Sequence, residues 1–262
     1  MTSLPPNKDT DNSPLQAEFD QMAEAYYEKH KANIAITGES PEYFAEYKIA
    51  DLAELVRKES IPSRQIFDFG SGIGNSLPFF RKYFGQSELQ CGDVSAKSIE
   101  IAQTRFPGQE KYLLVGRKIP LPTHSQDIAF SACVFHHISH DKHRYWLREL
   151  HRIVRPGGLL VIYEHNPLNP LTVHAVNTCP LDINARLIPG KKMRFRAMES
   201  GWEKTVLEYR VFFPSILKGL RLAEKYLGWL PLGAQYRISA RREDYSKSSN
   251  KSLSSFSERS TQ

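Results

Sequence analysis

Two groups of residues in this sequence are of types and spacings that do chemistry. The first is Phe67-Asp68-Phe69-Gly70-Ser71-Gly72-Ile73-Gly74-Asn75, a short apolar run that ends in glycines at alternate positions. Glycines placed this way let backbone amides approach a ligand closely. A dinucleotide fingerprint, Gly-x-Gly-x-x-Gly, needs its third glycine where Asn75 stands, which argues against a dehydrogenase. Asp93 lies 19 residues beyond Gly74 (93 − 74), where a carboxylate can accept hydrogen bonds from ribose hydroxyls. The second group is His136-His137, followed later by Glu164-His165-Asn166. Histidine titrates near neutral pH and can take a proton from a nucleophile, so His137 is the first candidate base and His136 the second. Glu164, His165 and Asn166 read as a substrate-binding cluster, and Tyr26 and Tyr27 as residues that could close over it. Lys48 could meet an anionic group, but reads first as a solvated lysine. No metal is expected, because Asp127 has no neighbouring carboxylate or amide pair to complete an octahedral shell.

These residues need elements to position them. Gln65–Phe69, Glu88–Asp93, Lys111–Val115, Asp127–Cys133 and Leu159–Tyr163 read as strands. The intervening segments carry helix signals: a start near Ser76, a Ser95 cap with a Phe106-Pro107-Gly108 stop, and a helix over 140–154 closed by Arg155-Pro156-Gly157-Gly158. Ser40 is placed to cap a further helix with Pro41 in its first turn. Strands alternating with helices imply an α/β fold, a parallel sheet with helices on both faces. The chemical residues then fall at the C-terminal ends of strands, where such sheets bind ligands. After Glu164 the pattern loosens. Residues 191–200 read as a helix, and 206–213 and 236–240 as two late strands. Residues 214–230 read as an amphipathic helix whose Ile216, Leu217, Leu220 and Leu227 would pack on the sheet.

Composition excludes whole classes. The 262 residues are 40% hydrophobic and 24% charged, near globular averages. Three widely spaced cysteines cannot make a disulfide framework, and no run of about 20 apolar residues could span a bilayer. The polar start resembles no signal peptide, so a cytoplasmic protein is expected. The net charge of +6 is unevenly spread: residues 1–60 carry 6 basic and 12 acidic residues, residues 181–242 carry 13 and 5. A basic region suggests an anionic partner: a phosphorylated small molecule, an anionic lipid or RNA.

From the glycine loop onward the chain resembles class I S-adenosylmethionine-dependent methyltransferases, in particular the ubiquinone/menaquinone-biosynthesis-like group of bacterial type. The resemblance rests on Asp68-x-Gly70-x-Gly72-x-Gly74, Asp93, Leu121-Pro122 with Asp127-Ile128, Phe135-His136-His137-Ile138 and the stretch from Glu149 to Gly158. Phe19-Asp20…Ala23…Tyr26 adds an N-terminal lid helix. Arg117 stands where many relatives carry an acid after the glycine at 116, and Gln126 where they carry an aromatic residue. The resemblance implies a Rossmann-like doubly wound sheet, mostly parallel with a late antiparallel strand. It implies S-adenosylmethionine as cofactor, held by Asp68, Gly70, Ser71, Gly72, Gly74, Asp93, Val94, Gly116, Arg117 and Ser131. The expected organisation is a disordered arm (1–14), a methyltransferase domain (15–240) and a disordered tail (241–262). Within the domain, 15–60 are lid helices, 61–165 the cofactor core and 166–240 the substrate side. The expected acceptor is a small molecule or a lipid- or sugar-linked compound, with room for peripheral membrane contact. RNA is the alternative, together with a non-catalytic cofactor-binding module. Enzymes that methylate base amino groups carry Asn/Asp-Pro-Pro-aromatic after strand four, whereas this chain reads Ser131-Ala132-Cys133-Val134-Phe135.

Overall fold

The computed structural model describes residues 20, 38–180, 182 and 184–244. The expected arm, Tyr26, Tyr27 and the tail beyond 244 lie outside the described residues, as does the first lid helix apart from Asp20.

Seven strands form one sheet in the order β3-β2-β1-β4-β5-β7-β6. They are β1 (Gln65–Phe69), β2 (Glu88–Asp93), β3 (Lys111–Leu114), β4 (Gln126–Ala132), β5 (Val154–His165), β6 (Glu203–Arg210) and β7 (Gln235–Arg241). The first five are parallel; β7 pairs antiparallel with β5, and β6 antiparallel with β7. Among the described residues, six helices with both ends described surround them: α1 (Pro41–Lys58), α2 (Leu77–Tyr83), α3 (Ala96–Arg105), α4 (His143–Ile153), α5 (Pro170–Thr178) and α6 (Gly190–Glu199).

Side chains alternate across a strand, so each strand feeds two cores. Ile66, Ile128, Phe130, Leu159, Val161 and Tyr163 point to one face. There they pack with Ile49, Leu52 and Leu55 of α1, Leu77 and Phe80 of α2 and Ala102 of α3. Phe67, Phe69, Ala129, Leu160 and Ile162 point to the other, against Leu147, Leu150 and Ile153 of α4 and Met193 and Ala197 of α6. A strand buried on both faces reads as a continuous apolar run, which is why the parallel strands were legible. The expected caps form: Ser40 Oγ accepts from Tyr43 N–H (3.3 Å), and Ser95 Oγ from Ser98 N–H (3.0 Å).

Three expectations change. The Arg-Pro-Gly-Gly stretch is not a turn before β5 but a bulge within it. Opposite β4, the pairing jumps from Val154 to Leu159 while the partner advances from Gln126 to Ile128. The segment after Glu164 contains a helix, α5, capped by Asn169 (Oδ1 accepting from Thr172 N–H at 3.0 Å) with Pro170 in its first turn. Residues 215–226 wind as a 3-10 segment kinked at Leu217, with only Glu224 buried. Two of its polar residues, Arg221 and Glu224, face inward. Glu224 Oε1 accepts from the Phe212 and Phe213 amides (3.1 and 3.0 Å), and Arg221 pairs with Glu39 and stacks over Tyr43. Ile216 and Leu222 are left 87% and 84% exposed and do not pack on the sheet.

The charge asymmetry closes partly inside the molecule. Asp51 on the acidic α1 accepts from Arg237 (2.8 Å) and Arg210 (3.2 Å) of the basic C-terminal third, and from the Tyr163 hydroxyl (2.5 Å). Glu208 pairs with both arginines, and Arg241 reaches Glu59. Arg210 and Arg237 of the basic third therefore fasten α1 to the sheet, while Lys191, Lys192, Arg194, Lys218 and Lys225 are exposed. No described helix is long and apolar enough to cross a membrane.

Candidate active site

The strand order turns back between β1 and β4, and the crevice beyond the C-terminal ends of such a pair is where open α/β sheets bind ligands. A cavity of about 1170 Å³ lies there. Its two ends are built from different material.

At one end, the backbone after β1 forms a cradle. The Gly70 and Ser71 amides donate to Gly92 O (2.8 and 3.1 Å), tying the loop to β2. The Gly72 amide donates to Asp93 Oδ2 (2.7 Å), and the Ser95 amide to Asp93 Oδ1 (2.9 Å). Gly70 has φ +80°, and a Cβ there would sit 2.3 Å from Val134 Cγ2. Gly72 has φ +53° with nothing within 4 Å of its would-be Cβ, because that side is the cavity. Asp68, Ser71, Val94, Gly116 and Arg117 complete this end. A wall kept bare at Gly72, next to a buried carboxylate, fits a ribose-bearing cofactor such as S-adenosylmethionine. Burial, reinforced by the neighbouring Asp93, pushes Asp68 up to about 7. Burial also raises Asp93, against the amides that bond it. Asp20 joins this rim: its Oδ1 accepts from the Ser95 hydroxyl (2.5 Å) and the Lys97 amide (3.3 Å).

Two expected cofactor residues lie elsewhere. Gly74 does not line the cavity; a Cβ there would meet Leu77 Cδ1 at 2.7 Å, so its role is packing. Ser131 is fully buried within β4, and its hydroxyl has no hydrogen-bond partner. The cavity wall begins one residue later with Ala132 and Cys133, the latter in a left-handed conformation (φ +58°).

At the other end, side chains from several segments converge. A 3-10 turn at Phe135–His137 follows β4. Glu164, 1% exposed, organises it: Oε1 accepts from the Val134 and Phe135 amides (2.9 and 2.7 Å), and Oε2 lies 2.6 Å from His136 Nδ1. Glu164 is therefore a structural anchor and not a substrate contact. Asn166 is also buried; its amide donates to Pro231 O (3.1 Å) and Gly233 O (2.8 Å), stitching the 231–234 loop to the end of β5. Of the expected substrate cluster, His165 alone lines the cavity.

The two histidines differ in charge. Burial opposes protonation of His136, but Glu164 and Asp182 outweigh it and hold the ring up to about 10. A ring already protonated at neutral pH cannot act as a base, which removes His136 from that role. Burial and the adjacent charge of His136 push His137 down to about 3, and burial likewise takes His165 down to about 4. His137 is neutral in the working range and faces the cavity.

Two further residues line the cavity, Asp182, which the sequence reading missed, and Lys48, which it took first for a solvated lysine. Lys48 is 8% exposed and lines the cavity; among the described residues no carboxylate pairs with it. The signal was its place on the stripe Ala45–Lys48–Leu52–Leu55, the buried face of α1. Asp182 lies in the loop between α5 and α6, where no sequence pattern marks it. At the far end of β4, Asp127 accepts from the Gln65 amide (2.9 Å) and Arg155 (2.7 Å), remote from this chemistry.

Comparison with known proteins agrees with this geometry. Residues 67–162 match the family described as Methyltransferase domain. A stretch of 127 residues, 44% of this chain, is 30% identical to the tRNA N(3)-methylcytidine methyltransferase Mettl2 of Drosophila melanogaster and spans 39% of that protein. Among solved structures, a SAM-dependent methyltransferase of Thermotoga maritima, described as a possible histamine N-methyltransferase, superposes with a TM-score of 0.60. The identity is 16%, over 87% of this chain and 100% of that one. Phosphoethanolamine N-methyltransferase 2 of Haemonchus contortus, in complex with S-adenosyl-L-methionine, superposes with a TM-score of 0.61 at 15% identity, over 88% of this chain and 60% of that one. The fold and the bare glycine cradle agree with the match of residues 67–162 to the Methyltransferase domain family.

Proposed function

We propose that the chain transfers a methyl group from S-adenosylmethionine to a small-molecule or lipid- or sugar-linked acceptor that carries an anionic group. The cofactor supplies, when bound, an electrophilic methyl group on a sulfonium. The Gly70–Gly72 backbone and the carboxylate of Asp93 would hold its ribose end, and Asp68, Val94, Gly116 and Arg117 would wall it in. The protein's remaining tasks are to hold a nucleophile in line with the methyl group and to exclude water, and positioning alone supplies up to several kcal/mol. His137 is the residue able to take a proton from the acceptor. His136, held by Glu164, positions the turn that carries it.

The acceptor class rests on Lys48. An ammonium group buried without a carboxylate is costly, and it would be offset if the ligand brought the negative charge. Lys48→Met should leave affinity for S-adenosylhomocysteine within about twofold and lower methyl incorporation severalfold, a change under ~1.4 kcal/mol. Incubation with radiolabelled cofactor and fractionated cell extract tests the class: label should enter an anionic small-molecule or lipid fraction. The likeness to the ubiquinone/menaquinone-biosynthesis-like group of bacterial type belongs to this proposal, supported by the ordered motifs from Asp68 to Gly158. A lipid-linked acceptor would also suit the exposed row Ile216, Leu222, Tyr226 and Trp229, flanked by Lys218 and Lys225. Such a basic apolar surface can lie on an anionic bilayer, and flotation with phosphatidylglycerol vesicles tests it.

A second reading, RNA methylation, is supported by the match to the tRNA methyltransferase and by the exposed basic residues Lys191, Lys192 and Arg194. Label recovered in the RNA fraction, with salt-sensitive RNA retention, would favour it over the first.

A further inference from the structure

We propose that His136, His137 and Asp182 form a binding site for a divalent cation of the zinc type at the acceptor end of the cavity. Asp182 Oδ1 lies 3.5 Å from His136 Nε2 and 3.5 Å from His137 Nε2. The ligand atoms of the three residues all fall within 4.8 Å of one another. An N–H···O hydrogen bond would draw such a pair to about 2.7–3.2 Å. Two ligand atoms on one tetrahedral zinc ion, each about 2.0–2.2 Å from it, stand about 3.3–3.5 Å apart. The carboxylate thus sits equally far from both imidazoles, at the spacing of ligands that share an ion.

The surroundings suit the same reading. His136 turns Nδ1 to the buried Glu164 at 2.6 Å, so that Nε2 is the nitrogen presented to Asp182, and a bound ion would displace the proton that Nε2 carries in the empty site. A carboxylate behind a ligating histidine fixes its tautomer and orientation and raises its basicity. Glu164 is itself held by two backbone amides. The loop that brings Asp182 is fastened to the histidine turn, with the Arg186 amide donating to His136 O at 2.7 Å. Two imidazoles and one carboxylate are a donor set for zinc and its transition-metal neighbours, and not for magnesium or calcium, which take mostly oxygen. All three residues line the cavity, so a fourth coordination position opens onto it, as in catalytic and unlike closed structural sites. An oxygen or nitrogen of the methyl acceptor would complete the shell; this last clause rests on the methyltransferase reading, and the site itself does not. In the loaded protein His137 is a ligand and not a base.

The test uses the full chain, stripped of metal and then titrated with Zn²⁺ in equilibrium dialysis and with Co²⁺ by visible absorption. The wild type should bind one equivalent of Zn²⁺ and give the intense absorption of four-coordinate cobalt. Asp182→Asn and His137→Gln should each weaken Zn²⁺ binding about a hundredfold or more, and Glu164→Gln, which leaves the three ligands in place, about tenfold. Asp182→Asn preserves side-chain shape on a loop, and melting curves of each variant verify folding. Zn²⁺ uptake by the wild type no greater than by Asp182→Asn, or a cobalt spectrum like that of the hydrated ion, would overturn the proposal. Calorimetry with S-adenosylhomocysteine on the same samples reports separately on the methyltransferase reading: a wild type that binds metal but not this product would sink that reading and leave the site standing.

Discussion

The two ends of the cavity differ in what makes them. The cofactor end is mostly backbone: the loop after β1 supplies Gly70 and Gly72, the neighbouring strand β2 supplies the Asp93 carboxylate, and the loop is tied to Gly92 by main-chain hydrogen bonds. The acceptor end is side chain: Lys48 from α1, His136 and His137 after β4, His165 at the end of β5 and Asp182 from the loop before α6. A backbone site tolerates few changes but is written in a short stretch of sequence. A side-chain site is assembled from distant segments and can be altered one residue at a time. On the proposed reading, cofactor identity is stored in a short stretch of chain and acceptor identity in separate side chains.

The largest effect is expected at Gly72, the bare wall of the cradle. Gly72→Leu places a side chain in the cavity at a left-handed backbone position that alone costs ~1–2 kcal/mol. Binding of S-adenosylhomocysteine should become undetectable by calorimetry while the far-ultraviolet circular dichroism stays unchanged. Retained binding would mean that the cofactor lies elsewhere.

Next comes the ion network that fastens the acceptor-side helix α1. Arg237→Ala removes the more buried of the two arginines that pair with Asp51 and Glu208 and should cost about 3–5 kcal/mol in denaturant unfolding. A loss below 1 kcal/mol, roughly the value of a surface pair, would show that Arg210 alone suffices.

Asp93→Ala removes a charged acceptor from the cradle and should cost about 1.5–3 kcal/mol of cofactor binding, roughly ten- to a hundredfold. Unchanged affinity in this variant would detach Asp93 from the ribose.

The smallest effect is a pH dependence. Asp68 carries its proton up to about 7 in the empty cradle, first because of burial and then because of Asp93. A cofactor bearing positive charge favours the ionised carboxylate, so below pH 7 that proton must leave before binding. Affinity should therefore fall as pH is lowered through 7, approaching about tenfold per unit, and be level above it. A titration between pH 5.5 and 8.5 checks this, and Asp68→Asn should flatten the slope.

Much of the fold was legible because its strands and caps are local. Gln65–Phe69 and Glu88–Asp93 appear where the apolar runs stand, and Ser40 and Ser95 cap the helices that follow them. Legibility failed where local pattern and packing partner disagree. Ile216, Leu217 and Leu220 have helical spacing and no sheet to meet, because Glu224 and Arg221 turn their polar groups inward. Glu164 and Asn166 look like a polar site at a strand end, but burial directs both to backbone groups. Lys48 was hidden by its type, since a lysine on an otherwise apolar stripe is ordinarily surface-seeking.

Sequence by itself determined the α/β alternation, the glycine cradle and the acidic residue that follows it. These depend on backbone conformation and burial over a few residues, which short patterns encode. Only the tertiary structure decided the rest. It brought Asp182 within 3.5 Å of both histidines, set Lys48 in the cavity wall and matched Asp51 of the acidic helix to the arginines of the basic third. Those contacts join segments that no local pattern relates, and their energies depend on burial, which exists only once the chain has folded.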